Sequence, residues 1–315
     1  MRVLLYYCYA PIADPTAFAE AHHRLCVDLD LRGRIIVAAE GLNGTVSGSV
    51  AACAAYMAAV HEDPRFAACE FKVDEVPAHA FRKLHVRVKS EIVHAGLPAL
   101  KPWERTAPYV EPAEFLALKD AADVVLLDVR STYEHGVGRF KNAVTLPIEN
   151  FRELPAHADE LAALRAQTHG KRIVTYCTGG VKCEKASAWL LDQGFENVYQ
   201  LHGGIIRYGL ETGGEDFEGK CYVFDSRLAI DVNQVNPSVV GRCHVCAQPS
   251  DRLVNCANAA CNAHVVVCAG CGEALEGACS TACQQAPEKR PYDGTGFYPK
   301  NTQAYNPAHA LTRYK

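Results

Sequence analysis

Residues 176–187 read YCTGGVKCEKAS, and the five residues up to Tyr176 read RIVTY. An apolar strand therefore ends on a cysteine, two glycines and a lysine follow, and helical spacing begins after them. In a parallel α/β sheet, ligands and chemistry gather just past the carboxyl ends of the strands. Cys177 occupies that position. Thr178, Gly179, Gly180, Val181 and Lys182 form a tight loop in this reading, and a helix over 183–193 turns its amino end back to the sulfur. Glycines let backbone N–H groups converge on one point, while the helix dipole and the Lys182 cation favour negative charge there. Each effect lowers a thiol pKa, and the thiolate is the nucleophile. A structural cysteine does not explain Gly-Gly followed by Lys. A cysteine phosphatase needs an arginine six positions after the cysteine, to clamp phosphate through a bidentate fork. That position is Cys183, which argues against phosphatase chemistry.

Around this loop, strands and helices alternate. PAEFLALKDA is a helix, VVLLDV and VTLP are strands, 150–168 is one long helix, and NVYQL is a strand. The strands are continuous apolar runs, as expected when helices cover both faces of a parallel sheet. This predicts an α/β domain over 110–216. The stretch AGLPALKPWERTAPYVEP carries four prolines and reads as a linker. Upstream of it, residues 1–95 run strand, helix, strand, strand, helix, strand, which predicts a ferredoxin-like α+β sandwich. LNGT, residues 42–45, is expected at the hairpin turn because Asn-Gly takes positive φ readily.

FRKLHVRVKSEIV alternates strictly: Leu84, Val86 and Val88 face a core, while Lys83, His85, Arg87 and Lys89 face out with Arg82 beside them. A solvated or edge-protecting strand face has this pattern, and so does a ridge that contacts phosphates, with Arg82, Lys83, Arg87 and Lys89 as the RNA-binding candidates.

The chain has 315 residues, enough for two or three domains. A net charge of −4 gives no global sign of nucleic-acid binding, so any such surface must be local. No window approaches the apolar length needed to span a bilayer, and the amino terminus lacks a secretory apolar core, so a cytoplasmic protein with no membrane partner is expected. In a reducing compartment the fifteen cysteines are metal ligands, catalytic thiols and small buried hydrophobes rather than a disulfide framework. Cys8, Cys26, Cys53 and Cys69 lie in apolar surroundings and read as core thiols.

Eight cysteines crowd between Cys243 and Cys283, within 219–315, a Cys-rich region expected to bind zinc. Cys243 and Cys246, Cys256 and Cys261, Cys268 and Cys271, and Cys279 and Cys283 make four close pairs. Four thiolates per tetrahedral zinc give two structural sites, but spacing leaves open which pairs share an ion. The tail KRPYDGTGFYPKNTQAYNPAHALTRYK mixes basic and aromatic residues, which suits either a wrap on RNA or a disordered end.

The segments LLDVRSTYEHGVGRFKNAVTLP, TYCTGGVKCEKAS and GFENVYQLHGGIIRYG, within residues 112–213, resemble a rhodanese domain. The resemblance implies Cys177 as sulfur carrier or nucleophile, and Asp128, Arg130 and Glu134 as a charge network supporting the loop. Lys182 stands where many rhodaneses carry arginine, keeping the charge without the planar fork. Together with EGLNGT, the basic strand and the cysteine pairs, the order of motifs over nearly the whole chain resembles the oxygen-dependent tRNA uridine hydroxylase family. That resemblance implies an acylphosphatase-like amino-terminal domain and a tRNA-modifying oxidoreductase that converts wobble uridine-34 to 5-hydroxyuridine. Molecular oxygen is then the co-substrate and the anticodon loop of tRNA the partner. No flavin or nicotinamide motif is present, and no two-His-one-carboxylate iron site can be assigned. The central domain alone also supports a thiosulfate or persulfide sulfurtransferase, and a non-catalytic zinc or RNA scaffold is the third alternative.

Overall fold

The computed structural model describes residues 1–296 and 298, with 311–312 described by their backbone. Most of the tail after 298, and with it the expectation of an RNA wrap, lies outside the described residues. The amino-terminal part runs β1 (Arg2–Tyr9), α1 (Pro15–Asp28), β2 (Arg32–Ala38), β3 (Gly41–Gly48), α2 (Val50–Glu62), β4 (Phe71–Glu75) and β5 (Leu84–Val88). Asp14 starts α1 by accepting the Thr16 and Ala17 N–H groups with Pro15 behind it, and Ser49 caps α2. Strand order β2-β3-β1-β4 is the ferredoxin-like sandwich that the element order predicts, with β5 added in parallel beside β2. Leu4, Tyr6, Cys26, Val37, Leu42, Val46, Cys53 and Tyr56 fill the core between sheet and helices.

The hairpin turn is not at LNGT. It falls at Ala39 and Glu40, ahead of Gly41 at φ +143°, and Asn43 and Gly44 lie inside β3. Packing explains the pair. A Cβ at Gly44 would meet the Tyr6 hydroxyl at 2.2 Å, and the Asn43 amide donates to the Ile92 carbonyl at 2.9 Å.

The central part comprises β6 (Tyr109–Val110), α3 (Pro112–Leu118), β7 (Val124–Asp128), α4 (Thr132–His135), β8 (Gly138–Phe140), β9 (Val144–Thr145), α5 (Ala158–Gln167), β10 (Arg172–Tyr176), α6 (Val181–Asp192), β11 (Val198–Leu201) and α7 (Gly204–Thr212). Strands β6-β11-β10-β7-β9 form one parallel sheet with an apolar cluster on each face. The proline-rich linker thus contributes the edge strand β6. The long helix expected over 150–168 divides into a 3-10 turn, Phe151–His157, and α5, because Pro155 removes a backbone donor inside the first half.

Short hairpins follow: β12 (Phe217–Gly219) on β8, then β13 (Cys221–Tyr222) with β14 (Ala229–Ile230), and β15 (Leu253–Asn255) with β16 (His264–Val266). Helices α8 (Ala269–Ala274) and α9 (Thr281–Gln284) carry later cysteines, and β17 (Leu311–Thr312) pairs in parallel with β5.

Candidate active site

Strand β10 delivers the chain to Cys177 beside Asp128 at the end of β7. Gly180 then takes φ +100°, a left-handed conformation that lets α6 start at Val181, two residues earlier than the spacing predicts. Its N–H donates to the Cys177 Sγ at 3.2 Å. Burial by itself raises the thiol, which is only 1% exposed. The Cys183 thiol, the Lys182 charge and the Lys182 and Gly180 N–H groups outweigh burial, so the Cys177 pKa is pulled below that of an ordinary thiol. Cys183 moves the opposite way, pushed up by burial and by the negative sulfur beside it. The arrangement stabilises a thiolate on Cys177.

Lys182 is held by Glu134 at 2.5 Å, with its ammonium 5.6 Å over the Phe224 ring. Glu134, itself fully buried, also accepts the Ser131 N–H at 2.9 Å and closes the capping box of α4. Asp128 and Arg130 form a bidentate pair at 2.9 and 2.7 Å, and the guanidinium also donates to the Gly138 carbonyl at 2.7 Å. It stacks over Tyr176, 5.6 Å from the ring centre, so this pair steadies the residue before Cys177. Glu134 reaches the loop through Lys182; Asp128 and Arg130 act one step further back.

The amino-terminal sheet lies over this loop. A Cβ at Gly179 would come 2.9 Å from the Leu5 side chain, and one at Gly180 would come 2.8 Å from the Tyr7 hydroxyl. Tyr9 donates to the Val181 carbonyl at 3.1 Å. Tyr7 and Tyr109 both donate to Glu184 Oε1, at 2.9 and 2.7 Å, while Gln200 donates to its other oxygen at 3.0 Å. The next residue, fully buried Lys185, bridges Glu40 at 2.8 Å and Glu91 at 2.6 Å. Removing either carboxylate would leave a buried charge underpaired, a loss of about 3–5 kcal/mol in comparable pairs. Two cavities flank the covered loop. One, of 260 Å³, is lined by Leu5, Lys72, Thr178 and Phe224; the other, of 350 Å³, by Tyr7, Tyr9, Trp103, Tyr109 and His202.

Cross-strand register places Lys72, Leu5, Thr45, Arg34 and His85 in a single row on the sheet face turned to the loop. Arg32 and Lys83 extend the same cationic side, and Arg87 stands beside Ile36 on it. Lys83 and Lys89 continue the backbone ladder of β5 at either end, and Arg82 is exposed just before it. Burial lowers the His85 pKa first, and Arg87, Arg34 and Lys83 lower it further, as expected of crowded cations. Arg32 Nε, His85 Nδ1 and Arg87 Nε are buried without a hydrogen-bond acceptor among the described residues. Arg32 and Arg34 escaped the sequence reading, although their spacing of two opposite Ile35 and Val37 is the same alternation that marked β5.

The carboxyl-terminal cysteines form two clusters, Cys243, Cys246, Cys268 and Cys271, and Cys256, Cys261, Cys279 and Cys283. Pair one joins pair three and pair two joins pair four, a crossed arrangement that spacing left open. Zn–S bonds of about 2.3 Å put the sulfurs of a tetrahedron roughly 3.8 Å apart. Cys246 to Cys268 and Cys261 to Cys279 are 3.8 Å, and Cys279 to Cys283 is 3.7 Å. All eight are free thiols, so both clusters could hold a metal ion.

Residues 1–92 match the UPF0176 acylphosphatase like domain, 111–209 the rhodanese-like domain and 218–284 the family described as rhodanase C-terminal. A rhodanese-like domain from Anabaena sp. is 21% identical over 33% of this chain and 74% of its own, with a TM-score of 0.26. Whole-chain relatives are far more similar. A protein of Cytophaga hutchinsonii named tRNA uridine(34) hydroxylase is 61% identical over 97% of both chains. One of the same name from Bacillus mycoides is 46% identical over 92% of this chain and 91% of its own. With all three domains matched in order and identity sustained from end to end, the chain belongs to the tRNA uridine(34) hydroxylase family.

Proposed function

We propose that this chain hydroxylates uridine-34 of tRNA, with Cys177 as the nucleophile and molecular oxygen as co-substrate. One observation carries the reading: the covered Cys177 loop lies against the sheet face that carries the cations of β2 and β5. Arg34 stands two strands from Leu5, roughly 10 Å at ordinary strand spacing. Phosphates of an anticodon loop held on Arg34, Arg87, Lys83, Arg82 and Lys89 would lie within one or two nucleotides of Cys177. Bases in such a loop are splayed and reachable without melting a duplex. Addition of the thiolate to C6 of uracil makes C5 enolate-like and nucleophilic, the position that takes oxygen in 5-hydroxyuridine.

Asp128, Arg130 and Glu134 serve as supports in this reading, Lys182 as the charge that sustains the thiolate, and Thr178 to Val181 as the frame. Each cysteine cluster would hold one zinc ion. A closed four-thiolate set has no open coordination position, which assigns the ions a folding role. Among the described residues no helix is long and apolar enough to cross a membrane. We read the site of action as the cytoplasm.

The decisive experiment is nucleoside mass spectrometry of tRNA from a deletion strain complemented with wild-type or Cys177→Ala protein, with and without oxygen. Products should disappear on deletion and return only with Cys177 and oxygen. Undiminished 5-hydroxyuridine in Cys177→Ala would falsify the nucleophile assignment, and undiminished product in the deletion strain itself would revive the sulfurtransferase alternative. For the surface, Arg34→Glu with Arg87→Glu should weaken tRNA binding and flatten its salt slope by about one unit per lost phosphate contact. An unchanged slope removes this face from the interface.

A further inference from the structure

Two lysines approach the Cys177 loop, and different surroundings hold them. Lys182 is committed to Glu134. Lys72 projects from β4 in register with Leu5, the residue that rests on Gly179. It is 6% exposed, with its ammonium 4.9 Å from the centre of the Tyr7 ring. No ion pair joins it to a carboxylate among the described residues, because the nearby acids are engaged elsewhere. Glu70 faces His202 at 3.2 Å and Arg207 at 3.4 Å, and Asp74 faces Arg227 at 2.5 Å. Burial lowers the Lys72 pKa; Glu70, Cys69 and Cys177 raise it again, and Arg207 lowers it.

A buried ammonium without an acid is costly to keep and marks a place where negative charge arrives. Lys72 lines both cavities beside the loop. The smaller one, which includes Thr178, is walled on one side by Leu5, Val223 and Phe224, an apolar surface that suits a flat ring, and on the other by Arg227 with the Asp74 and Asp225 carboxylates it pairs.

We propose that Lys72 is a catalytic residue whose ammonium binds the O4 carbonyl oxygen of the target uracil and stabilises the enolate formed when Cys177 adds to C6. The inference rests on the reading of Cys177 as nucleophile toward uridine-34. In this step the thiolate electron pair makes the S–C6 bond. The C5–C6 π pair moves toward C4, the charge settles on O4, and Lys72 donates a hydrogen bond to it. Nothing is oxidised or reduced in the addition.

The test uses full-length wild-type, Lys72→Met, Lys72→Arg and Cys177→Ala proteins, with single-turnover conversion at saturating tRNA and tRNA affinity measured in parallel. Lys72→Met should slow the saturated rate by about 10²–10³-fold at unchanged affinity, and Lys72→Arg should recover part of that loss. Lys72→Gln gives the same comparison if the methionine variant does not fold. A full saturated rate in the neutral variants, with or without weakened binding, overturns the inference alone and leaves Lys72 at most a phosphate contact. Product made by Cys177→Ala overturns the nucleophile reading, and this inference with it.

Discussion

Cys26 and Cys177 are equally hidden from water, yet their chemistry is opposite. In the core of the amino-terminal domain Cys26 packs among apolar side chains, and burial pushes its thiol up to about 12. Cys221, in the same part of the molecule as Cys177, is likewise pushed up to about 12, chiefly by burial. Cys177 suffers the same desolvation, and its pKa still falls. What differs is the surroundings: two backbone N–H groups and a thiol donate to one sulfur, and the Lys182 charge lies nearby. Burial alone makes a thiol inert, and a glycine loop at a helix start reverses that outcome.

That contrast breaks most severely at Lys182. Lys182→Gln strands the buried Glu134 and should cost about 3–5 kcal/mol of stability. Its lost charge should also move the pH midpoint of Cys177 alkylation upward. The sign follows from the cation: Lys182 favours the thiolate and holds the pKa down, so its removal leaves less thiolate at neutral pH. One unit of midpoint shift would mean about twofold slower alkylation at neutral pH, which lies above the Cys177 midpoint of about 6, and about tenfold slower alkylation at pH values below both midpoints. Peptide mapping after iodoacetamide treatment reads this directly, and Lys182→Arg should keep the midpoint low. A midpoint that stays put in Lys182→Gln removes the lysine from the account. The smallest effect is expected on the other side of the comparison. Cys26→Ala should leave hydroxylation unchanged and lower stability by about 1 kcal/mol, the loss of one small core group. Impaired turnover in that variant at intact stability would show that Cys26 is more than packing.

Much of this was legible in the chain. The loop after β10 declared itself because glycines, a lysine and a cysteine at a strand end are local features. The element order of the amino-terminal domain was legible for the same reason, since periodicity is local. The hairpin turn was not. Asn43-Gly44 has the residues of a turn, but the Tyr6 ring crosses β3 at Gly44, a contact between residues 38 positions apart. The locks Lys185–Glu40–Glu91 and Tyr7–Glu184 were equally invisible, since each joins residues separated by more than ninety positions.

The sequence by itself determined the domain types, the Cys177 loop as the candidate site and the eight metal-ligand candidates, because each is written in residues close together along the chain. Tertiary structure alone decided which cysteine pairs cross, that Arg32 and Arg34 join β5 on a single cationic face, and that β1 covers the Cys177 loop with Lys72 in register beside Leu5. These are long-range contacts, and their partners are selected by the folding of whole sheets against one another rather than by any local pattern.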